Sequence, residues 1–136
     1  MKELTVTASI DKIAEVTAFV DSFLEEHDCS IKVQMQIDIA IDELFSNVCY
    51  YAYDEKDGLV IIRIDLDETS RTFEMSFIDN GKQYNPLKRE DPDITLSAEE
   101  RGVGGLGVYI VKKSMDELKY EYIDNQNVLT IKKCIG

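Results

Sequence analysis

Positive charge, cysteine, histidine and proline are all scarce in this chain, and each shortage removes a class of function. Fifteen Lys and Arg stand against 27 Asp and Glu in 136 residues, for a net charge of −12. Phosphate backbones are bound by basic faces, so neither direct nucleic-acid binding nor an anionic membrane surface is expected. Acidity of this kind keeps a chain soluble; an acidic face that meets a basic protein is the sharper reading, which charge alone does not establish. Cys29, Cys49 and Cys134 are odd in number and far apart. No CxxC pair exists, so a zinc site or redox motif has no support, and free thiols fit a reducing cytoplasm. The only histidine, His27, lies in EEHD, where it reads as a solvated helix end with no second histidine to share a metal. No run approaches the ~18 apolar residues of a membrane helix, and the N-terminal MKELTVTASIDK has no apolar core of signal-peptide length. Two prolines and seven glycines exclude a collagen-like or broadly disordered chain. What remains is a cytoplasmic globular chain, expected to form one domain over 1–136.

The apolar pattern supplies the elements. Leu4, Val6 and Ala8 alternate with polar residues, as in a strand. From Ile13 the spacing turns helical through Val16, Val20, Phe23 and Leu24, with an end expected near Glu26 to Cys29. The next segment carries two patterns. Ile31, Val33, Met35, Ile37, Ile39 and Ile41 alternate like a strand, yet Ile37, Ile41, Leu44 and Val48 make a helical stripe. Neither Gly nor Pro interrupts it, and it is too long for a typical strand, so a helix from about Lys32 to Tyr53 is expected. DEKDG is a turn. LVIIRIDLD and RTFEMSFID read as two strands in a hairpin joined by ETS. Asn80 to Gly105 holds both prolines and little periodicity, the mark of a functional or mobile stretch. Leu106, Ile110, Val111 and Met115 form a helix, and LKYEYID and NVLTIKK close the chain as a hairpin around Asn125. The order is β-α-α-β-β-loop-α-β-β. It predicts an α+β fold, a two-layer α/β sandwich whose mainly antiparallel mixed sheet carries helices on one face.

Three segments could carry chemistry. In ERGVGGLGVYIVKK, four of the seven glycines fall within six residues, just before the helix. Free N–H groups at a helix start attract an anion, so the loop is either a phosphate cradle or a flexible hinge. GxxxxGK[ST] is absent, and RGVGGLG follows a charged loop rather than the strand that a dinucleotide fingerprint needs. Glu43 and Asn47 are i,i+4 neighbours at the edge of the apolar stripe. They are a polar pair on the surface or satisfied within the fold, or an acid beside an amide oxygen, able to accept a proton and to ligate Mg²⁺ alongside phosphates. Asp79 ends a strand, with Gly81 two residues on. The pair is an ordinary DxG turn or a buried acceptor suited to an exocyclic amine such as that of adenine.

Together ELFSNVCYYAY, DNGKQYNP and GGLGVYIVKKSMD resemble, in order and separation, the N, G1 and G2 boxes of the GHKL (Bergerat-fold) ATPases. Within that superfamily the whole chain most resembles the small bacterial anti-sigma-factor serine/threonine kinases. The resemblance implies ATP and Mg²⁺ as cofactors and assigns roles by position. Glu43 would be the catalytic base for a substrate hydroxyl and Asn47 the Mg²⁺ ligand. Asp79 would recognise the adenine amino group, and Gly81 would give the base room. Gly102, Gly104, Gly105 and Gly107 would form the lid on the phosphate side, with Leu106 starting the next helix and Arg101 reaching the phosphates. Two features depart from the family pattern. Tyr51 stands where a His is frequent, and NQNVLTIKK offers Asn127 and Thr130 in place of a Gly-Thr pair.

The implied activity is phosphorylation of Ser or Thr on an antagonist of the STAS (anti-anti-sigma) type, by a protein that also sequesters a sigma factor. Relatives of this kind are typically homodimers, and the outward face of the first strand and helix is the expected subunit contact. The alternative is an ATP-gated interaction module without kinase activity; retention of Glu43 favours the enzyme. The chain has the size of the ATP-binding unit alone, which argues against a complete sensor histidine kinase.

Overall fold

The computed structural model describes residues 1–53, 58–88 and 106–136. Five strands form one sheet in the order β1-β2-β3-β5-β4: β1 (Lys2–Thr7), β2 (Leu59–Asp67), β3 (Thr72–Asp79), β4 (Glu117–Ile123) and β5 (Gln126–Cys134). All four neighbouring pairs are antiparallel, so among the described residues the sheet is antiparallel throughout rather than mixed. Three helices, α1 (Ile13–Glu26), α2 (Ile31–Asn47) and α3 (Leu106–Ser114), make the second layer, with α2 packed on both of the others.

Alternation decides which sheet face meets the helices. Val60, Ile62 and Ile64 of β2, Phe73, Met75 and Phe77 of β3, and Leu129 and Ile131 of β5 are buried. They pack with Val16, Val20 and Leu24 of α1 and with Ile37, Ile41, Leu44 and Phe45 of α2 in one core. The other sheet face is largely polar: Arg63 bonds Glu3 at 2.6 Å, and Ser76 meets Thr130 at 2.9 Å. Asp124 and Asn125, with φ of 54° and 63°, supply the left-handed pair of a two-residue turn between β4 and β5. Most of the expected DEKDG turn lies outside the described residues.

The double pattern at 31–41 resolves as helix. Ser30 caps it, its hydroxyl accepting from the Val33 N–H at 3.3 Å. Ile37 and Ile41 are fully buried, whereas Ile31, Met35 and Ile39 are exposed on the opposite side. The strand-like alternation is therefore two helical stripes superposed, of which the core takes only one.

Helix α2 also meets α1 through two acids. Asp21 and Asp38 are in hydrogen-bonding contact, and each has one oxygen closed from solvent without a partner among the described residues. Burial, then the Asp21 contact, lift Asp38 from its ordinary 3.8 to about 7. The folded chain thus keeps a proton that the unfolded chain has lost. The pair's contribution to stability is complete below the ordinary carboxylate value and is lost as the pH rises to about 7. Asp38→Asn holds the same shape without ionising. Thermal melts at pH 8 should place it a few degrees above wild type, with the gap closing near pH 4; an unchanged gap would mean that the two acids do not share a proton.

Candidate functional site

Asp79 is the last residue of β3 and is only 3% exposed. Its Oδ1 accepts from the Gly81 N–H and from Asn127 Nδ2, both at 2.9 Å. Burial holds its pKa above the ordinary carboxylate value, and the bonds from Asn127 and Gly81 offset only part of that rise. The result is a carboxylate fixed by one oxygen at the wall of a narrow cleft. Leu44, Val48, Phe77 and Leu129 give that cleft apolar sides, and Asn47 and Asn127 line it as well.

Asn127 organises this end of the site. It pairs in register with Asp79 across β3 and β5. Its amide donates to Asp79 and to the Lys82 carbonyl, and its oxygen accepts from the Tyr84 N–H at 3.1 Å and from the Tyr120 hydroxyl. A buried amide with all these partners is fully satisfied. In the sequence Asn127 stands out only as a departure from the family pattern. The signal that could have found it is a polar residue at an inward-facing position of β5, two before buried Leu129. Thr130, the other residue noted there, bonds Ser76 on the opposite face of the sheet.

The end of α2 builds the facing wall. The helix runs to Asn47 and continues as a π turn over Val48–Ala52, where the Tyr53 N–H reaches the Val48 carbonyl at 3.3 Å. Widened turns of this kind recur at functional sites. The π turn presents the Ala52 carbonyl to the Lys82 N–H at 2.7 Å. Gly81 lies so close beneath that a Cβ there would run into the Ala52 backbone. Tyr53 ties the same corner, donating to the Leu59 carbonyl and accepting from the Asn80 N–H, each at 2.8 Å. Tyr51 stacks on Tyr84 with ring centroids 4.8 Å apart. Gly81→Ala has no flexible side chain to push aside. It should cost about 1–3 kcal/mol of stability and loosen the cleft, seen as a lower melting temperature. A Tm equal to wild type would refute the close approach.

Glu43 and Asn47 lie one turn apart, with Asn47 Nδ2 3.5 Å from Glu43 Oε1. Asn47 is buried and Glu43 half-buried. The Asn47 oxygen has no protein partner among the described residues. Gly107, in the first turn of α3, abuts Glu43: a Cβ on it would collide with the Glu43 carboxyl. Leu106 opens α3. Arg101, Gly102, Gly104 and Gly105 lie outside the described residues. The structure thus brings Glu43 to Gly107, and Asn47 to the cleft that holds Asp79, with Gly81 beneath its rim. Asp79 and Asn47 line the same cleft, and Asn47 is the residue that joins it to Glu43. Among the described residues no cluster of three His, Cys, Asp or Glu offers a ready-made metal cage.

The model of the histidine kinase-like ATPase domain family matches residues 6–133. The chain is 24% identical over 129 residues to a serine/threonine-protein kinase, BtrW, of Bordetella bronchiseptica, covering 95% of this chain and 89% of that one. It is 26% identical over 137 aligned positions to an anti-sigma F factor of Caldanaerobacter subterraneus subsp. tengcongensis, covering 100% and 94%. A serine-protein kinase, RsbW, of Bacillus thuringiensis is 33% identical over 98 residues, which are 69% of this chain and 60% of that protein. Among solved structures, the RsbU and RsbW domains of Rv1364c from Mycobacterium tuberculosis share the fold. The TM-score is 0.64 at 18% identity, over 98% of this chain and 32% of that longer one.

Proposed function

The chain belongs to the histidine kinase-like ATPase domain family, and from that premise we propose that it binds Mg²⁺-ATP and phosphorylates a Ser or Thr of a STAS-type antagonist. In the same proposal it sequesters a sigma factor and works in the cytoplasm as a homodimer paired through β1 and α1. The observation that carries the chemistry is that Asn47 and buried Asp79 line one cleft, while Asn47 also meets Glu43, which abuts Gly107. Its relatives' names point the same way: kinases that act on serine or threonine, and an anti-sigma factor.

The residues fit the nucleotide. Gly81 and Asn127 engage one oxygen of Asp79, so the other is available to accept from an exocyclic amine. The cleft is narrow, and Tyr84 and Pro86 form the part of its wall that comes from a connection rather than from a strand or long helix. That is the wall which would yield to a purine. Asn47 would hold the metal through its amide oxygen, with phosphate oxygens completing the shell. Bound ATP supplies the phosphoryl group, and Mg²⁺ offsets its charge. Glu43 would take the proton from the attacking hydroxyl as the new O–P bond forms, and ADP would carry away the electrons of the broken one.

The test is incubation with γ-labelled ATP, Mg²⁺ and purified STAS-domain proteins from the source organism. Label is expected on a Ser or Thr of one of them. ATP binding without label on any would favour the interaction module that lacks transfer.

A further inference from the structure

The second stripe of α2 has no role in the fold. Ile31, Met35 and Ile39 are 78%, 58% and 49% exposed. A spacing of four stacks them along one face of the helix, over about 12 Å. Single exposed apolar residues are ordinary; three in line on the middle helix of a layer form a continuous strip.

The strip lies in an uneven field. From Ile10 to Asn47 the chain has nine carboxylates and two lysines, so more than half of its net charge of −12 sits in this stretch. Glu25 of α1 is tied to Gln34 of α2, beside the strip. Asp42 is exposed one turn beyond Ile39 and two beyond Met35, and no cation pairs with it among the described residues. The outer sheet face differs. There Arg63 meets Glu3, Lys119 meets Glu121 and Lys132 meets Glu117. Among the described residues the excess of acid lies in α1, α2 and the turns that flank them, the strip's own helix and its neighbour.

We propose that the strip of Ile31, Met35 and Ile39 is a docking site for a cationic amphipathic helix of a partner protein. Apolar residues of that helix at i, i+4 and i+7 would lie along the strip, and its Lys and Arg would face Glu25 and Asp42. Met35 is flexible enough to repack around such a guest. A second copy of this chain suits the strip poorly, because it would set the same carboxylates against each other. The inference does not depend on the nucleotide cleft.

The test titrates the full chain into a fluorescein-labelled 18-residue Leu/Lys amphipathic helix and reads anisotropy. The controls are a Leu/Glu helix of the same apolar pattern, the surface double variant Met35→Gln/Ile39→Gln, and Leu59→Gln on the outer sheet face. Saturable binding of the Leu/Lys helix is expected, at least tenfold weaker for Met35→Gln/Ile39→Gln and unchanged for Leu59→Gln, with the Leu/Glu helix failing to bind. Equal binding by the double variant would reduce the effect to net charge and overturn the proposal. So would no binding by wild type, binding of the Leu/Glu helix, or a wild-type dimer that Met35→Gln/Ile39→Gln turns into a monomer in sedimentation velocity.

Discussion

Asp79→Asn should leave the protein folded and lower its ATP affinity by at least about 100-fold. The asparagine oxygen can still accept from Gly81 and Asn127, so the bonds that hold the β3 end survive. What changes is the second position, where an acceptor becomes an NH₂ donor facing the amine of the base. A hydrogen bond to a charged group is worth about 1.5–3 kcal/mol, and an unpaired buried donor costs about 1–3 kcal/mol more. Their sum is what sets the predicted loss. Stability should hold or rise slightly, because burial raises the Asp79 pKa and a neutral isostere avoids the cost of charging it. Calorimetric titration beside a thermal melt separates the two effects. Unchanged affinity in a folded variant would place the base elsewhere.

Glu43→Gln separates binding from transfer. The side chain stays the same size against Gly107 and can still meet Asn47, so ATP affinity should stay within about threefold. Phosphate transfer should fall by about 10²–10⁴, the usual contribution of a positioned general base. A quench-flow or filter assay of labelled antagonist measures the transfer. Undiminished transfer would remove Glu43 from the role of base, and lost ATP affinity would make it a binding residue.

The parts of this account that were legible in the sequence are those set by local period. LVIIRIDLD is β2 to the residue, and RTFEMSFID holds β3 with one residue to spare, because burial on one face enforces alternation. The segment at 31–53 was readable as helix only by its length. Its alternation misleads because Ile31, Met35 and Ile39 are apolar without being core. The π turn at Val48–Ala52 was not legible at all. Its register answers to the Lys82 N–H and to the crowding of Gly81 on Ala52, contacts that join distant parts of the chain. The same holds for Asn127, whose importance comes from lying opposite Asp79 in a pairing that no window of sequence contains. Spacing alone left Glu43, Asn47 and Asp79 as three separate possibilities; the fold brings Glu43 to Gly107 and sets Asn47 and Asp79 on one cleft.

The central claim is that this cleft is a nucleotide site, and titration of the intact chain with ATP, with and without Mg²⁺, tests it most directly. Saturable binding of one ATP per chain is expected, strengthened by Mg²⁺ and at least about 100-fold weaker in Asp79→Asn. A folded wild-type chain that binds no ATP under either condition would contradict it.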